Sequence, residues 1–205
     1  VETLLNHRQN LDMYVEWSVN EKVAFGLAFG ASLCGARGLA VMKHVGINVA
    51  LDSIMTAAYI GAKGGLVIVA AEDPGQWSSQ NEQDNRYYAK MAGVPMLEPA
   101  TPEEAKAMVL HGLELSEKYR IPVMLRTTTR VNHCRGPVSL GMIPRERPLA
   151  SFPKDPFNLV VVPMVGRKLR LALLDKIAGM REEAERSPLN VVSGEGAWGI
   201  VTSGV

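Results

Sequence analysis

The sequence comprises 205 residues, of which 47% are hydrophobic and 21% charged; this content supports a globular fold with a sizeable core and argues against an intrinsically disordered chain. The 22 basic and 21 acidic residues nearly balance, so no overall charge would attract nucleic acid or an anionic membrane. Cys34 and Cys134 match no disulfide framework or metal-cluster spacing, and no apolar run approaches the length of a membrane span. We therefore expect a reduced, cytoplasmic protein whose partners bind through a specific site.

Both ends of the sequence resemble the interior of a longer polypeptide. Val1 opens a segment with helical character, and residues 199–205 have the pattern of a strand entering a turn. We therefore expect this chain to be one piece of a longer protein whose activity needs the other parts.

Near the start of the chain, a short apolar strand over residues 13–15 is predicted to lead into a helix over residues 20–34. This helix is apolar on nearly every face, which predicts burial on all sides. Ser18 is a good N-cap, and Glu21 three residues later could complete a capping box. A carboxylate at the start of a buried helix could also be the chemical centre of the protein, in contact with a ligand nitrogen. The residues alone leave both interpretations of Glu21 open.

The next elements alternate between strand and helix, which predicts an α/β fold with a mostly parallel sheet flanked by helices. The continuous apolar run at residues 66–71 is typical of a central parallel strand buried on both faces. Residues 43–46 are predicted to form a loop, and Thr101 to cap a long helix. The predicted elements are strands at residues 39–42, 66–71, 96–97 and 122–125 and helices at residues 47–60, 86–92 and 101–119.

The pattern changes after residue 136, where prolines predict an extended surface connector up to residue 163. Residues 167–185 then predict an amphipathic helix. Its predicted apolar face comprises Leu171, Leu174 and Ala178. A glycine- and serine-rich segment at residues 187–196 separates this helix from a last strand near Gly199, and we place a domain boundary in that segment.

In parallel α/β sheets, ligands bind beyond the carboxyl ends of the strands. We expect the polar residues at those ends to meet along one edge of the sheet. These residues are Glu21, Lys43, His44, Glu72, Asp73, the segment 78–84 and the segment 126–133. Structural interpretations stay open, because Lys43 and His44 could be a solvated pair and the segment 78–84 a surface loop. Arg126 could be a strand residue paired with carboxylates. No phosphate-binding glycine loop, nucleophile elbow or histidine–cysteine metal motif is present in the sequence.

Four segments of the sequence carry a specific resemblance. They are residues 16–24 (EWSVNEKVA), 42–50 (MKHVGINVA), 78–84 (SSQNEQD) and 125–133 (LRTTTRVNH). In this order they resemble the alpha subunits of indolepyruvate:ferredoxin oxidoreductases, thiamine-diphosphate enzymes of the 2-oxoacid oxidoreductase superfamily. The resemblance implies a pyrimidine-binding domain at residues 1–135 that lacks its first strand, a connector and helix at residues 136–190, and the start of a second domain at residues 191–205.

The resemblance also implies roles for particular residues. In this family a glutamate hydrogen-bonds the pyrimidine nitrogen N1′ of thiamine diphosphate and favours the 4′-imino tautomer, which takes the proton from thiazolium C2. By motif match this glutamate is Glu21. The implied cofactor contacts are Glu21, Ser18, Asn20 and Gln80, and the implied substrate contacts are Lys43, His44 and Arg126. The resemblance implies no metal ligand in this chain.

The family reaction converts an aryl pyruvate such as indolepyruvate, with coenzyme A, to an arylacetyl-CoA and CO2, and its electrons pass through 4Fe–4S clusters to ferredoxin. This sequence lacks the Mg2+ and diphosphate motif and the cluster cysteines. The resemblance therefore places these groups in further domains of the same polypeptide and in a beta subunit, within a homo- or hetero-oligomer. Because the cofactor site forms between domains, we expect this chain alone to be inactive and to bind the cofactor poorly.

The identity of the substrate stays open. Pyruvate-specific relatives carry an arginine where this sequence has Glu72 and Asp73, which argues against a grip on a small carboxylate and weakly favours a bulkier aryl substrate. One alternative is another 2-oxoacid, such as phenylglyoxylate or a branched-chain oxoacid. The other is a non-catalytic α/β scaffold in which Glu21 is only a helix cap.

Overall fold

The computed structural model describes residues 1–11, 13–142, 150–152 and 154–205, and it contains a four-stranded sheet flanked by helices. The elements are α1 (Glu2–Leu11), α2 (Glu21–Leu33), β1 (Gly38–Lys43), α3 (His44–Ile60), β2 (Leu66–Ala71), α4 (Asn85–Ala92), β3 (Met96–Leu97), α5 (Pro102–Tyr119), β4 (Val123–Thr127), α6 (Thr129–Asn132), α7 (Pro156–Leu159) and α8 (Pro163–Glu185).

The four strands are parallel and stand in the order β1-β2-β4-β3. The register pairs Lys43 with Ala71 and Ala71 with Thr127, so the carboxyl ends of the three longer strands lie side by side. We call this side the C-terminal edge of the sheet. Ligands of parallel sheets bind beyond this edge, so it is the place to look for a site.

The core lies on both faces of the sheet. Phe25 of α2, Ile47 of α3 and Leu173 of α8 are buried in the core of one face. Met108 and Leu115 of α5 are buried in the core of the other. Helices therefore cover both faces, which confirms the predicted α/β class and explains why the central strands read as continuous apolar runs.

Several element boundaries are confirmed. Strands β2 and β3 have the predicted bounds. Helix α5 ends at Tyr119 as predicted, and it follows Thr101, whose hydroxyl accepts a hydrogen bond from the backbone N–H of Glu104 at 3.1 Å. The threonine cap and the proline behind it identified this helix start correctly from the sequence.

Two predicted strands do not form in the part of the chain that the structure describes. Residues 13–15 have no regular secondary structure and pair with no strand there, and Tyr14 is largely exposed. The segment from Gly199 onward forms no strand either, although Ser203 donates a hydrogen bond to Glu98. A strand needs a neighbour for its backbone hydrogen bonds, and apolar sequence alone does not supply one.

The predicted loop at residues 43–46 is also wrong. Lys43 ends β1 in an extended conformation, and His44 already begins α3, so Gly46 lies in the first helical turn. The chain passes from strand to helix without a linker. Glycine has a lower helix propensity than every residue except proline, so Gly46 favoured a loop in the sequence pattern.

Two helices expose apolar side chains that were predicted to be buried. In α2, Phe25 is buried, but Val23 and Leu27 are exposed, so the helix is not covered on all sides by the described chain. In α8, the buried face is Val165, Leu169 and Leu173, not the predicted face. Leu171 and Leu174 point outward. Helix α8 carries two apolar stripes, and periodicity cannot tell which of them meets the core.

The predicted connector falls partly outside the described residues, which omit 143–149 and 153. Its described part contains the short helix α7. Among the described residues, no helix combines the length and apolar character needed to cross a membrane. No group of three or more histidine, cysteine, aspartate or glutamate side chains in that same part could hold a metal ion.

Candidate functional site at the C-terminal edge

Glu21 opens helix α2 but does not form the predicted capping box. The N-cap is Asn20, whose side-chain oxygen accepts a hydrogen bond from the backbone N–H of Val23 at 2.9 Å. The hydroxyl of Ser18 instead donates to Glu16 at 2.6 Å. The cap interpretation of Glu21 is therefore wrong, because an asparagine one residue before it satisfies the free N–H group.

The side chain of Glu21 lies on the first turn of α3. A Cβ atom built on Gly46 would come within 2.5 Å of Glu21 Cγ and 3.0 Å of its Oε1, so only glycine leaves room for it there. Glu21 is half-buried, and within the described residues its carboxylate makes no hydrogen bond or ion pair. It is thus free to bind a ligand.

Other acidic side chains in this region are already engaged within the chain. Glu72 accepts a hydrogen bond from the backbone N–H of Asn85, and Glu82 from that of Gly75. Asp84 pairs with Arg86, whose charge and hydrogen bond lower the pKa of Asp84. These carboxylates stabilise loops and helix starts, whereas the Glu21 carboxylate makes no such contact within the described residues.

Lys43 and His44 bind the loop that follows β2. We call residues 72–84 the β2–α4 loop. Lys43 Nζ donates to the backbone oxygen of Ser78 at 2.9 Å, and His44 Nε2 lies 2.9 Å from the backbone oxygen of Asn81. Since a carbonyl only accepts, Nε2 carries the proton. Both predicted substrate contacts therefore fasten this loop to the start of α3.

The β2–α4 loop folds around the carboxylate of Asp73. Its Oδ2 atom accepts hydrogen bonds from the Ser79 hydroxyl at 2.6 Å and from the Ser78 backbone N–H at 2.7 Å, and these bonds lower the pKa of Asp73. Gly75 and Gln76 turn the chain with positive φ angles of 81° and 47°. The loop is consequently ordered by its own contacts as well as by α3.

Arg126 is held between two carboxylates. Its Nε and Nη2 atoms contact Glu72 at 2.6 and 2.5 Å, and its Nη1 atom contacts Glu98 at 2.6 Å. Burial alone would lower the pKa of Arg126, but the hydrogen bonds and charges of Glu72 and Glu98 raise it above its usual value. The pairing with carboxylates considered from the sequence is what the structure shows.

The remaining predicted cofactor contacts differ in availability. The side chains of Ser18 and Asn20 are occupied next to α2, as described above. Gln80 is exposed on the β2–α4 loop. The structure thus brings Glu21, Lys43 and His44 together around the first turn of α3. Arg126 is linked to this group through two residues: it contacts Glu72, which accepts a hydrogen bond from the backbone N–H of Asn85, and the Asn85 side chain donates to the backbone oxygen of His44 at 3.4 Å.

Sequence reasoning missed a set of buried polar atoms at the same edge. Five such atoms find no hydrogen-bond partner among the described residues: His44 Nδ1, Asp73 Oδ1, Asn85 Oδ1, Thr127 Oγ1 and Thr128 Oγ1. Unpaired buried polar atoms are rare in folded proteins and call for an explanation such as bound water or a ligand. Only the run of three threonines after Arg126 hinted at them, and it was equally compatible with an ordinary strand.

Comparison with known proteins identifies the family. Residues 2–156 match the family described as pyruvate flavodoxin/ferredoxin oxidoreductase, thiamine diP-bdg. The chain is 47% identical over 199 residues to indolepyruvate oxidoreductase subunit IorA of Thermococcus kodakarensis, covering 95% of this chain and 31% of that protein. It is 49% identical over 195 residues to the subunit of the same name from Methanothermobacter thermautotrophicus, covering 94% of this chain and 32% of that protein.

A solved structure supports the fold. 2-Oxoglutarate:ferredoxin oxidoreductase from Magnetococcus marinus superposes with a TM-score of 0.62 at 13% identity, covering 88% of this chain and 39% of that one. The present chain spans about a third of the length of the IorA relatives, so it corresponds to one part of such a subunit. By the family match over most of its length, the chain belongs to the thiamine-diphosphate-binding family of pyruvate flavodoxin/ferredoxin oxidoreductases.

Proposed function

We propose that this chain is the pyrimidine-binding part of an oxidoreductase that decarboxylates aryl pyruvates, indolepyruvate in particular, with coenzyme A and passes the electrons to ferredoxin. The names of the IorA relatives support the choice of substrate. The observation that carries the proposal is the half-buried carboxylate of Glu21, which lies on the backbone of Gly46 without a partner among the described residues, at the edge where parallel sheets bind ligands.

The residues present fit the pyrimidine ring of thiamine diphosphate. A ring nitrogen needs one hydrogen-bonding partner that can share a proton, and Glu21 is a carboxyl group without a competing partner in the described chain. Asn20 caps the start of α2 and so positions Glu21, and Gly46, which lacks a Cβ atom, leaves room for the Glu21 side chain. When bound, thiamine diphosphate supplies a nucleophilic carbon and an electron sink for the decarboxylation of the 2-oxo acid.

The rest of the active site belongs to parts outside this chain in our proposal. Residues 1–135 form the pyrimidine-binding domain, and the Mg2+ site, the 4Fe–4S clusters and the diphosphate-binding domain lie in the remaining polypeptide and the beta subunit. Exposed apolar side chains near Glu21 in the sequence support such an interface, since exposed apolar patches mark contact surfaces. They are Tyr14, Trp17, Val19, Val23 and Leu27.

The test uses the full-length protein with its partner subunit under anaerobic conditions. Coenzyme-A-dependent reduction of a viologen dye is measured with indolepyruvate, phenylpyruvate, phenylglyoxylate, a branched-chain 2-oxoacid, pyruvate and 2-oxoglutarate, before and after removal of thiamine diphosphate. The proposal predicts the highest kcat/KM for aryl pyruvates and no turnover without the cofactor. A preference for another 2-oxoacid would contradict the substrate, and no activity with any of them would favour a non-catalytic scaffold.

A further inference from the structure

The β2–α4 loop presents an aromatic side chain at the C-terminal edge. Trp77 is 85% exposed although the next residue, Ser78, is hydrogen-bonded to both Lys43 and Asp73. A Cβ atom on Gly75, whose φ is +81°, would lie 3.3 Å from Trp77 Nε1, so the indole rests beside a turn that glycine makes possible. Trp77 thus offers a large apolar surface on an ordered loop at this edge.

The loop and Glu21 both contact the residues at the start of α3. Lys43 Nζ binds the backbone oxygen of Ser78, the residue after Trp77, at 2.9 Å. Lys43 immediately precedes α3, and the first turn of α3 contains Gly46, on which Glu21 lies. Trp77 and the candidate cofactor-binding carboxylate are therefore held by the same helix start.

The polar groups predicted to grip the substrate are all occupied by protein. Lys43 and His44 bind loop carbonyls, and Arg126 binds two carboxylates. A substrate reaching this edge therefore meets no uncommitted cation among these three residues. Discrimination between 2-oxo acids has to come from the part of the substrate that differs, which is its side chain.

We propose that Trp77 is a specificity-determining residue that contacts the aryl group of an aryl 2-oxo acid, and that Lys43 is a positioning residue that holds it there. This inference rests on the proposed function. The indole offers an apolar face for an aromatic ring, and aromatic pairs favour offset or edge-to-face contact. Lys43 acts through the backbone of Ser78 and contributes no charge to the substrate carboxylate.

The test compares an aryl with a small 2-oxo acid in the full-length assembly. Trp77→Ala is expected to lower kcat/KM for indolepyruvate about three- to tenfold, while kcat/KM for pyruvate changes less than about twofold. Trp77→Phe keeps an aromatic face and should stay near the wild type. Phe157→Ala, which removes another exposed aromatic side chain on α7, is the matched control and should change neither value.

Lys43 is tested by the same pair of substrates. Lys43→Met removes the bond to Ser78 and should raise KM for indolepyruvate with little change in kcat, and Lys43→Arg should restore it. If Lys43 instead gripped the substrate carboxylate, Lys43→Met would raise KM for pyruvate equally, which would overturn the positioning role.

Three results overturn the role of Trp77. They are an unchanged kcat/KM for indolepyruvate in Trp77→Ala, an equal loss of kcat/KM for both substrates, and loss of the subunit assembly on size-exclusion chromatography, which would make Trp77 an interface residue. Failure of the proposed function looks different: the wild-type assembly would reduce no dye with any aryl 2-oxo acid, and this inference would fall with it.

Discussion

The side chain of Glu21 packs directly against Gly46 at the candidate site. It occupies the space where any other residue at position 46 would place its Cβ atom. The contact joins the start of α2 to the start of α3. It therefore fixes a carboxylate at the C-terminal edge, and no other described residue occupies the hydrogen-bonding positions of that carboxylate.

Replacing the glycine tests this relationship. Gly46→Ala favours the helix by up to about 1 kcal/mol but forces Glu21 to move, so we expect a folded protein with thermal stability near or above the wild type and a large loss of kcat. Gly30→Ala is the control, since its Cβ would meet nothing within 4 Å. Full activity in the Gly46→Ala assembly would show that the position of Glu21 is unimportant.

Arg126 is expected to act on stability. Arg126→Met leaves the buried carboxylate of Glu72 and the partly buried carboxylate of Glu98 without their cation, which should cost about 3–5 kcal/mol and lower the melting temperature of the full-length protein. If Arg126 served mainly to bind substrate, the melting temperature would stay constant and KM would rise for every 2-oxo acid.

The hydroxyl of Thr127 is buried without a partner among the described residues. We expect ordered water to complete its hydrogen bonds, so Thr127→Val, which keeps the shape and removes the hydroxyl, should destabilise the protein by about 1 kcal/mol. The measurement is thermal melting of the full-length protein, with Thr127→Ser to separate loss of the hydroxyl from loss of the methyl group. A Val variant as stable as the wild type would mean that the hydroxyl is unsatisfied in the working protein.

An ion pair far from the site gives a pH-dependent control. Arg37 contacts Glu117 at 2.8 Å, and this hydrogen bond lowers the pKa of Glu117. A lowered carboxyl pKa adds stability above the ordinary glutamate value of about 4.3, and that stability is lost as the pH falls through the folded-state pKa.

The variant for this control is Arg37→Met. Both side chains are more than a third exposed, so we expect it to cost less than about 1 kcal/mol at pH 7 and nothing at a pH where Glu117 is protonated in both states. Melting temperatures are measured from about pH 7 down to about two units below the ordinary glutamate pKa of about 4.3. A difference that stays constant over this range would assign the effect to packing.

The sheet could be predicted from the sequence because a strand buried on both faces consists almost entirely of apolar residues. Strand β2 is a continuous apolar run, and the threonine cap of α5 marks a helix start through a local hydrogen bond. The expected strand at residues 13–15 and the apolar face of α8 failed because each depends on a tertiary neighbour. Local pattern shows which segments can be buried, and only packing selects among them.

For the candidate site, the location of the residues could be predicted from the sequence, but their contacts could not. Placing Glu21, Lys43 and His44 at one edge followed from the rule for parallel sheets. The partners of these side chains could not be predicted, because they are backbone carbonyl groups such as that of Ser78. Every residue carries such a group, so the sequence does not mark which one is bound. The contact between Glu21 and Gly46 was equally hidden, since a glycine in a first helical turn suggests a loop.

The most direct measurement of the central claim is turnover of the Glu21→Gln assembly. Glutamine keeps the size of the side chain and the helix start capped by Asn20, but it cannot share a proton with a ring nitrogen as a carboxyl group can. Glu114→Gln, on the exposed side of α5, is the control for loss of a carboxylate. We predict that Glu21→Gln melts like the wild type and loses nearly all cofactor-dependent reduction of the dye, while Glu114→Gln keeps it; a fully active Glu21→Gln enzyme would contradict the account.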